Sequence, residues 1–227
     1  MNRTAKRSYW GVVVTILGLT FGLGCSPLTT LWFLRDDGKL PAQYKLEPKD
    51  GKREVTVAVI VTPAPGIGTK LQFASLDRDL ATAIGKTLVE ETVKEKVKVG
   101  VVDQSKIARM QSINPEKFAV TDPSEIAQRL GADYLIQVNL SQFGLDAGGF
   151  GKELPQGTAA MMVNVYEAGV AAKKYDYPFD WQAPQKVVGD GPVSNYQQGF
   201  VTQLGKRIAQ HHVKHTADRE RGTFPKQ

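Results

Sequence analysis

Three histidines, His211, His212 and His215, stand within five positions of one another near the C-terminal end of the chain and nowhere else. On a helix His211 and His215 share a face, the spacing at which two imidazoles can hold a zinc ion. No Cys or acid stands at a ligand spacing beside them, and the glutamate that zinc proteases carry between such histidines is missing. Cationic side chains near a helix C-terminus are favoured by its dipole, so the three read as solvated or capping groups and no metal is assigned. The Gly-rich stretch Asp146-Ala147-Gly148-Gly149-Phe150-Gly151-Lys152-Glu153 invites a phosphate-cradle reading and fails it. Such a loop needs Gly five places before its Gly-Lys pair and Ser or Thr after the Lys, where this chain has Asp146 and Glu153. It also joins two strands instead of opening a helix. It reads as a hairpin loop whose Phe150 can insert into a partner. No Ser or Cys sits in a strand-turn-helix elbow. The pairs Glu90-Glu91 and Asp36-Asp37 lie in charged contexts without the burial that tunes a carboxylate for acid-base work. The expectation is a chain with no catalytic residue and no cofactor, not an enzyme.

Aromatic residues offer a different chemistry, that of contact. Tyr175, Tyr177, Phe179 and Trp181 alternate with Lys174, Asp176, Pro178 and Asp180, so on a strand the four rings share one face. That face is either covered by a helix or stands exposed as a platform for a protein or for glycan rings. Pro178 cannot donate to a ladder and places this strand at a sheet edge, where partners dock. Tyr175, Tyr177, Phe179, Trp181 and Phe150 are the candidate partner-binding residues.

The chain's one cysteine, Cys25, closes a segment that begins with Arg3, Lys6 and Arg7 and continues as an apolar run over residues 9–24. Charge, apolar run, small residues, then Cys is the order of an export signal. As a helix the run spans roughly 24 Å, short of the roughly 30 Å hydrocarbon layer, which favours cleavage over permanent spanning. These residues resemble a bacterial lipoprotein signal, which implies cleavage before Cys25 and a thioether-linked diacylglycerol on it. Gly22 departs from the branched residue that family places three positions before the cysteine. Gly22 and Gly24 also fit the small-x-small pattern of the ordinary signal peptidase, which would release a soluble periplasmic protein. An exported protein with a single cysteine cannot form an internal disulfide, and acylation accounts for that cysteine. Ser26 differs from the Asp that resembles an inner-membrane retention signal, so the outer membrane, facing the periplasm, is expected, with the inner membrane as the alternative.

Residues 26–53 carry Pro27, Pro41 and Pro48 and little periodicity, and read as a tether with a lead-in strand. The apolar segment 54–62 is β-branched on nearly both faces, as in a strand inside a sheet covered on one side and partly on the other. Leu76, Leu80, Ile84 and Leu88 recur at every fourth position from Ser75 and predict an amphipathic helix. Strands follow at 97–102, 134–140, 159–166 and about 172–181. Short helices are expected from Ser105 through Ile113 and from Asp122-Pro123 to a left-handed cap at Gly131. Phe200, Leu204 and Ile208 mark a terminal helix from about Ser194. The order β-α-β-α-α-β-β-β-α describes an α/β (α+β) domain, a mixed sheet of about five strands with helices mainly on one face. The expected division is a signal at 1–24, a lipid-anchored tether at 25–53, the domain at 54–215 and a charged tail at 216–227.

That order, with Gly131-Ala132-Asp133-Tyr134-Leu135-Ile136 leading into the third strand, resembles the curli-secretion lipoproteins, the lipoprotein activators of penicillin-binding proteins and the N-terminal domain of TolB. The resemblance implies a non-catalytic module that docks on envelope machinery. Pore formation is disfavoured, since the insertion between strands at 144–157 is too short for a transmembrane hairpin. Charge agrees with a protein partner. Without Arg3, Lys6 and Arg7 the 29 basic residues become 26 against 23 acidic, a balance of +3 spread along the chain, unlike the basic stripe that nucleic acid requires. The expected function is an accessory to a cell-envelope machine, bound to an envelope protein and to the membrane through its lipid. The alternatives are a module that binds peptidoglycan or another glycan, and a periplasmic hydrolase.

Overall fold

The computed structural model describes residues 39–48, 54–67, 74–93, 95–146, 156–184 and 193–216. The chain forms two compact units, Met1–Leu40 and Pro41–Gln227; the fold below is that of the second. Cys25 and Phe150 lie outside the described residues.

Among the described residues the elements are β1 (Glu54–Pro63), α1 (Leu76–Thr92), β2 (Lys98–Val101), α2 (Gln104–Ile113), α3 (Pro115–Val120), α4 (Pro123–Leu130), β3 (Tyr134–Asp146), β4 (Gln156–Glu167), β5 (Lys173–Pro184) and α5 (Val193–Gln210). These five strands form one mixed sheet in the order β2-β1-β3-β4-β5. Strand β1 pairs parallel with β2 and β3, while β3, β4 and β5 run antiparallel as a meander. This is the mixed α/β fold that the sequence pattern predicts, with one added short helix, α3.

Why β1 is apolar on both faces follows from its place. Val55, Val57, Val59 and Val61 enter the larger core with α1 and α5, and Ala58 and Ile60 enter a smaller one with Ile107, Ile126 and Leu130. Along β3 and β4 the alternation is cleaner: Ile136, Val138, Ala159, Met161, Val163 and Val165 all point into the larger core. A bulge between Leu140 and Gln142 shifts the register by one residue, and Phe143 thereby regains the covered face. The two long helices lie together on that face, and the short ones cover part of the other.

Local chemistry sets the element boundaries. Asp103 caps α2 by accepting from Ser105 N at 2.7 Å, so the cap is Asp103 and Ser105 is already helical. Asn114 caps α3, accepting from Lys117 N at 2.9 Å, and Asp122 caps α4, accepting from Ser124 N at 2.8 Å. Gly131 ends α4 at φ +71°, a left-handed conformation that costs a residue with a Cβ about 1 kcal/mol or more. Asp133 then fixes the register of β3: its Oδ2 accepts from Thr56 N at 2.8 Å and its own N donates to Thr56 O at 2.7 Å. The segment Gly131-Ala132-Asp133 thus sets how β3 enters the sheet. At the far end of α1, the buried Thr92 hydroxyl donates to Leu88 O and accepts from Val99 N, tying the helix to β2.

The packed unit reaches toward the N-terminus beyond β1. Leu46 is buried in the larger core, with Tyr44 against it. Tyr134 Oη donates to Glu47 O at 2.9 Å, and Lys174 Nζ donates to that same phenol and to Glu167 at 3.2 Å each.

Candidate functional site: an aromatic edge strand and the open half of the sheet

Strand β5 is the edge of the sheet, where Pro178 costs no ladder bond. Its four aromatics share the helix-covered face, and each meets another ring. Tyr44 stacks on Tyr177 at 4.7 Å between centroids and tilts against Tyr175 at 5.3 Å. His211 stacks on the same Tyr177 at 4.8 Å and takes the edge of Phe179 at 5.5 Å. Phe200 stacks on Trp181 at 4.8 Å. Tyr177 is 6 % exposed, which corrects its place among the partner-binding candidates: its ring serves the core. Tyr175, Phe179 and Trp181 are half-buried against that core.

The histidines are also corrected. His212 is 1 % exposed, not solvated. Its Nδ1 lies 3.2 Å from Tyr44 O and its Nε2 3.0 Å from Tyr177 Oη. A carbonyl can only accept, so Nδ1 carries the proton and Nε2 accepts from the phenol. Burial lowers the His212 pKa to about 4, and it raises that of Tyr177 above the ordinary phenol value. The pair is therefore neutral, with both imidazole nitrogens committed. His211 is also held below the ordinary histidine value, by burial and by His215. Among the described residues no three His, Cys, Asp or Glu side chains converge as metal ligands. Tyr44 escaped the sequence reading, since it lies in a proline-bearing stretch without periodicity; the alternation of Tyr44 with Leu46 was its one signal. Its backbone completes the arrangement, with Tyr44 N donating to His211 O at 2.9 Å.

The opposite face of β3, β4 and β5 is built otherwise. Paired rows run across it: Gln137, Asn164 and Asp176; then Asn139, Met162 and Pro178; then Gln142, Ala160 and Asp180. Met162 is 40 % exposed whereas its neighbour Met161, on the covered face, is 3 % exposed. Gln142, Asp176, Pro178 and Asp180 are exposed. Asn164 sits among them at 5 % exposure, and its Oδ1 has no hydrogen-bond partner. Asp176 is engaged by Lys173 at 3.0 Å.

No family model and no curated protein matches this chain. Solved structures do. A hypothetical protein from Chlamydia trachomatis aligns at TM-score 0.43 and 13 % identity, over 70 % of this chain and 97 % of that one. A lipoprotein from Neisseria meningitidis aligns at TM-score 0.38 and 11 % identity, over 69 % and 99 %. The PelC dodecamer from Paraburkholderia phytofirmans aligns at TM-score 0.43 and 10 % identity, over 76 % and 94 %. At such scores none of them assigns a residue role or an activity to this chain.

Proposed function

We propose that this protein is a non-catalytic accessory of the bacterial envelope, held to a membrane by lipid on Cys25 and binding its partner through the α/β unit. The observation that carries the reading is the order of residues at the N-terminus: Arg3, Lys6 and Arg7, the apolar run over 9–24, then the chain's sole cysteine. The outer membrane is the assigned location, on Ser26. Kinship with the curli-secretion and penicillin-binding-protein-activator lipoproteins belongs to the same proposal, on element order and residues 131–136.

Two features support the non-catalytic half. The Tyr177–His212 pair spends its donors and acceptors inside the protein, which leaves His212 no ring nitrogen for a substrate. The face of the sheet away from α1 and α5 keeps Gln142, Met162, Asp176, Pro178 and Asp180 exposed, where a partner can lie. The test is in-cell photocrosslinking with a photoreactive residue at Gln142 on that surface and a control at Arg78 on α1. The reading predicts an envelope component captured at Gln142 but not at Arg78, and lost with Cys25→Ala. Equal capture at both positions, or none, would contradict it.

A further inference from the structure

We propose that residues 41–48 form a strap that is closed on β5 and the end of α5 at neutral pH and is released by acid, with His212 as the switch. The use of that release to lengthen a tether rests on the lipid anchor proposed above; the switch itself does not. The strap carries no strand ladder. It is held by Tyr44 N donating to His211 O at 2.9 Å and by His212 Nδ1 donating to Tyr44 O at 3.2 Å. The ring of Tyr44 stacks on Tyr177, Leu46 is buried, and the Tyr134 phenol donates to Glu47 O. Most of these contacts converge on Tyr44, and His212 supplies one of them.

A second proton on His212 has no place in this arrangement. Neutral His212 accepts at Nε2 from Tyr177 Oη at 3.0 Å. In the imidazolium both nitrogens donate, so that bond is lost and the phenol proton is left without its acceptor. The charge is also uncompensated. The titratable side chains around the imidazole are Tyr44 from the strap, Tyr177 from β5 and His211 at the end of α5, with His215 next to His211. None is an acid, and His211 opposes a second positive charge. Lys45 and Glu47 of the strap pair with each other at 3.9 Å in solvent, and Lys174 of β5 pairs with Glu167. A buried cation without a partner is costly until it reaches water. Of the elements around it, β5 is paired with β4 along its length and α5 is packed into the larger core. The strap, lacking a ladder, is the cover that yields first. With lipid on Cys25, its release changes the chain between lipid and sheet from residues 26–43 to residues 26–53, a gain in reach of up to roughly 35 Å.

Amide hydrogen exchange in the full-length chain in detergent is the test, read as protection factors at pH 7 and pH 5, with and without dilute urea. The Tyr44 amide reports on the strap, and the Val138 amide, in the middle of the sheet, reports on global unfolding. His212 titrates at about 4 under the closed strap and near 6.5 once in water, so protection at Tyr44 should fall about twentyfold from pH 7 to pH 5. It should stay below that of Val138 and respond less to urea, because a released strap exposes little surface. His212→Gln, which does not titrate, should remove the pH dependence at Tyr44. If that variant loses its native spectrum at pH 7, the His212 Cε1 signal of the unaltered chain decides. The closed protein must keep that ring neutral at pH 5, and a ring protonated there while Tyr44 stays protected overturns the switch. Equal protection and one urea slope for Tyr44 and Val138 would mean that the strap leaves only when the whole unit unfolds. That result overturns the proposal, as does unchanged Tyr44 protection between the two pH values or the same fall in His212→Gln. An unmodified Cys25 leaves the switch standing, and a strap closed at pH 5 leaves the lipid anchor standing.

Discussion

His212 and Tyr177 link three separate parts of the chain, since the imidazole reaches Tyr44 O on one side and the β5 phenol on the other. The consequence is a pH dependence of stability with a definite sign. His212 titrates at about 4 in the folded protein against 6.5 for a free histidine, so on acidification the unfolded chain takes up its proton first. The stabilisation is full above about pH 6.5 and is lost as pH falls toward 4, by up to about 3 kcal/mol at about 1.4 kcal/mol per pH unit. Urea unfolding between pH 7 and 4.5 should show the decline, and His212→Gln, which keeps a donor and an acceptor but does not titrate, should flatten it. Equal slopes in the two proteins would exclude His212 as the cause. Sequence alone placed these histidines at a helix end and read them as solvated or capping, because Tyr44, the ring that closes over them, lies 168 residues away from His212 in a stretch without periodic signal.

At the scale of elements, the packing of α1 against α5 depends on Gly205. A Cβ there would lie 2.6 Å from Ala83 Cβ and 2.9 Å from Ile84 N, too close for either helix to keep its place. Gly205→Ala should destabilise the protein by about 1–3 kcal/mol through overpacking, although alanine favours an isolated helix by about 1 kcal/mol over glycine. Thermal unfolding measures the sign, and a raised melting temperature would show that the helices have room to separate. Most of this layer was legible beforehand. The four-residue spacing of Leu76, Leu80, Ile84 and Leu88 and the alternation in β3 and β4 are imposed by burial on one face, so they survive in sequence. Helix α3 left no such trace, because none of its residues is buried; its mark was the Asn114-Pro115 start, which went unread. A helix-covered aromatic face was among the readings the sequence offered, but alternation places four rings together on β5 without revealing that Tyr44, His211 and Phe200 are what meet them.

For the whole molecule, the proposed function divides the work between the sheet and the N-terminal segment. One face is closed by α1 and α5 and holds the larger core; the other is left open over β4 and β5 with amides, carboxylates and Met162 upon it. Among the described residues no helix is long and apolar enough to cross a membrane. A lipid on Cys25 would supply attachment without one, since a diacyl chain buries far more hydrocarbon than the single myristoyl group that binds only marginally. The most direct measurement is mass spectrometry of the N-terminal peptide of the protein made in bacterial cells. The account predicts a mature chain that begins at Cys25 and carries thioether-linked diacylglycerol. A mature chain with an unmodified Cys25, or one that retains residues 1–24, would contradict it.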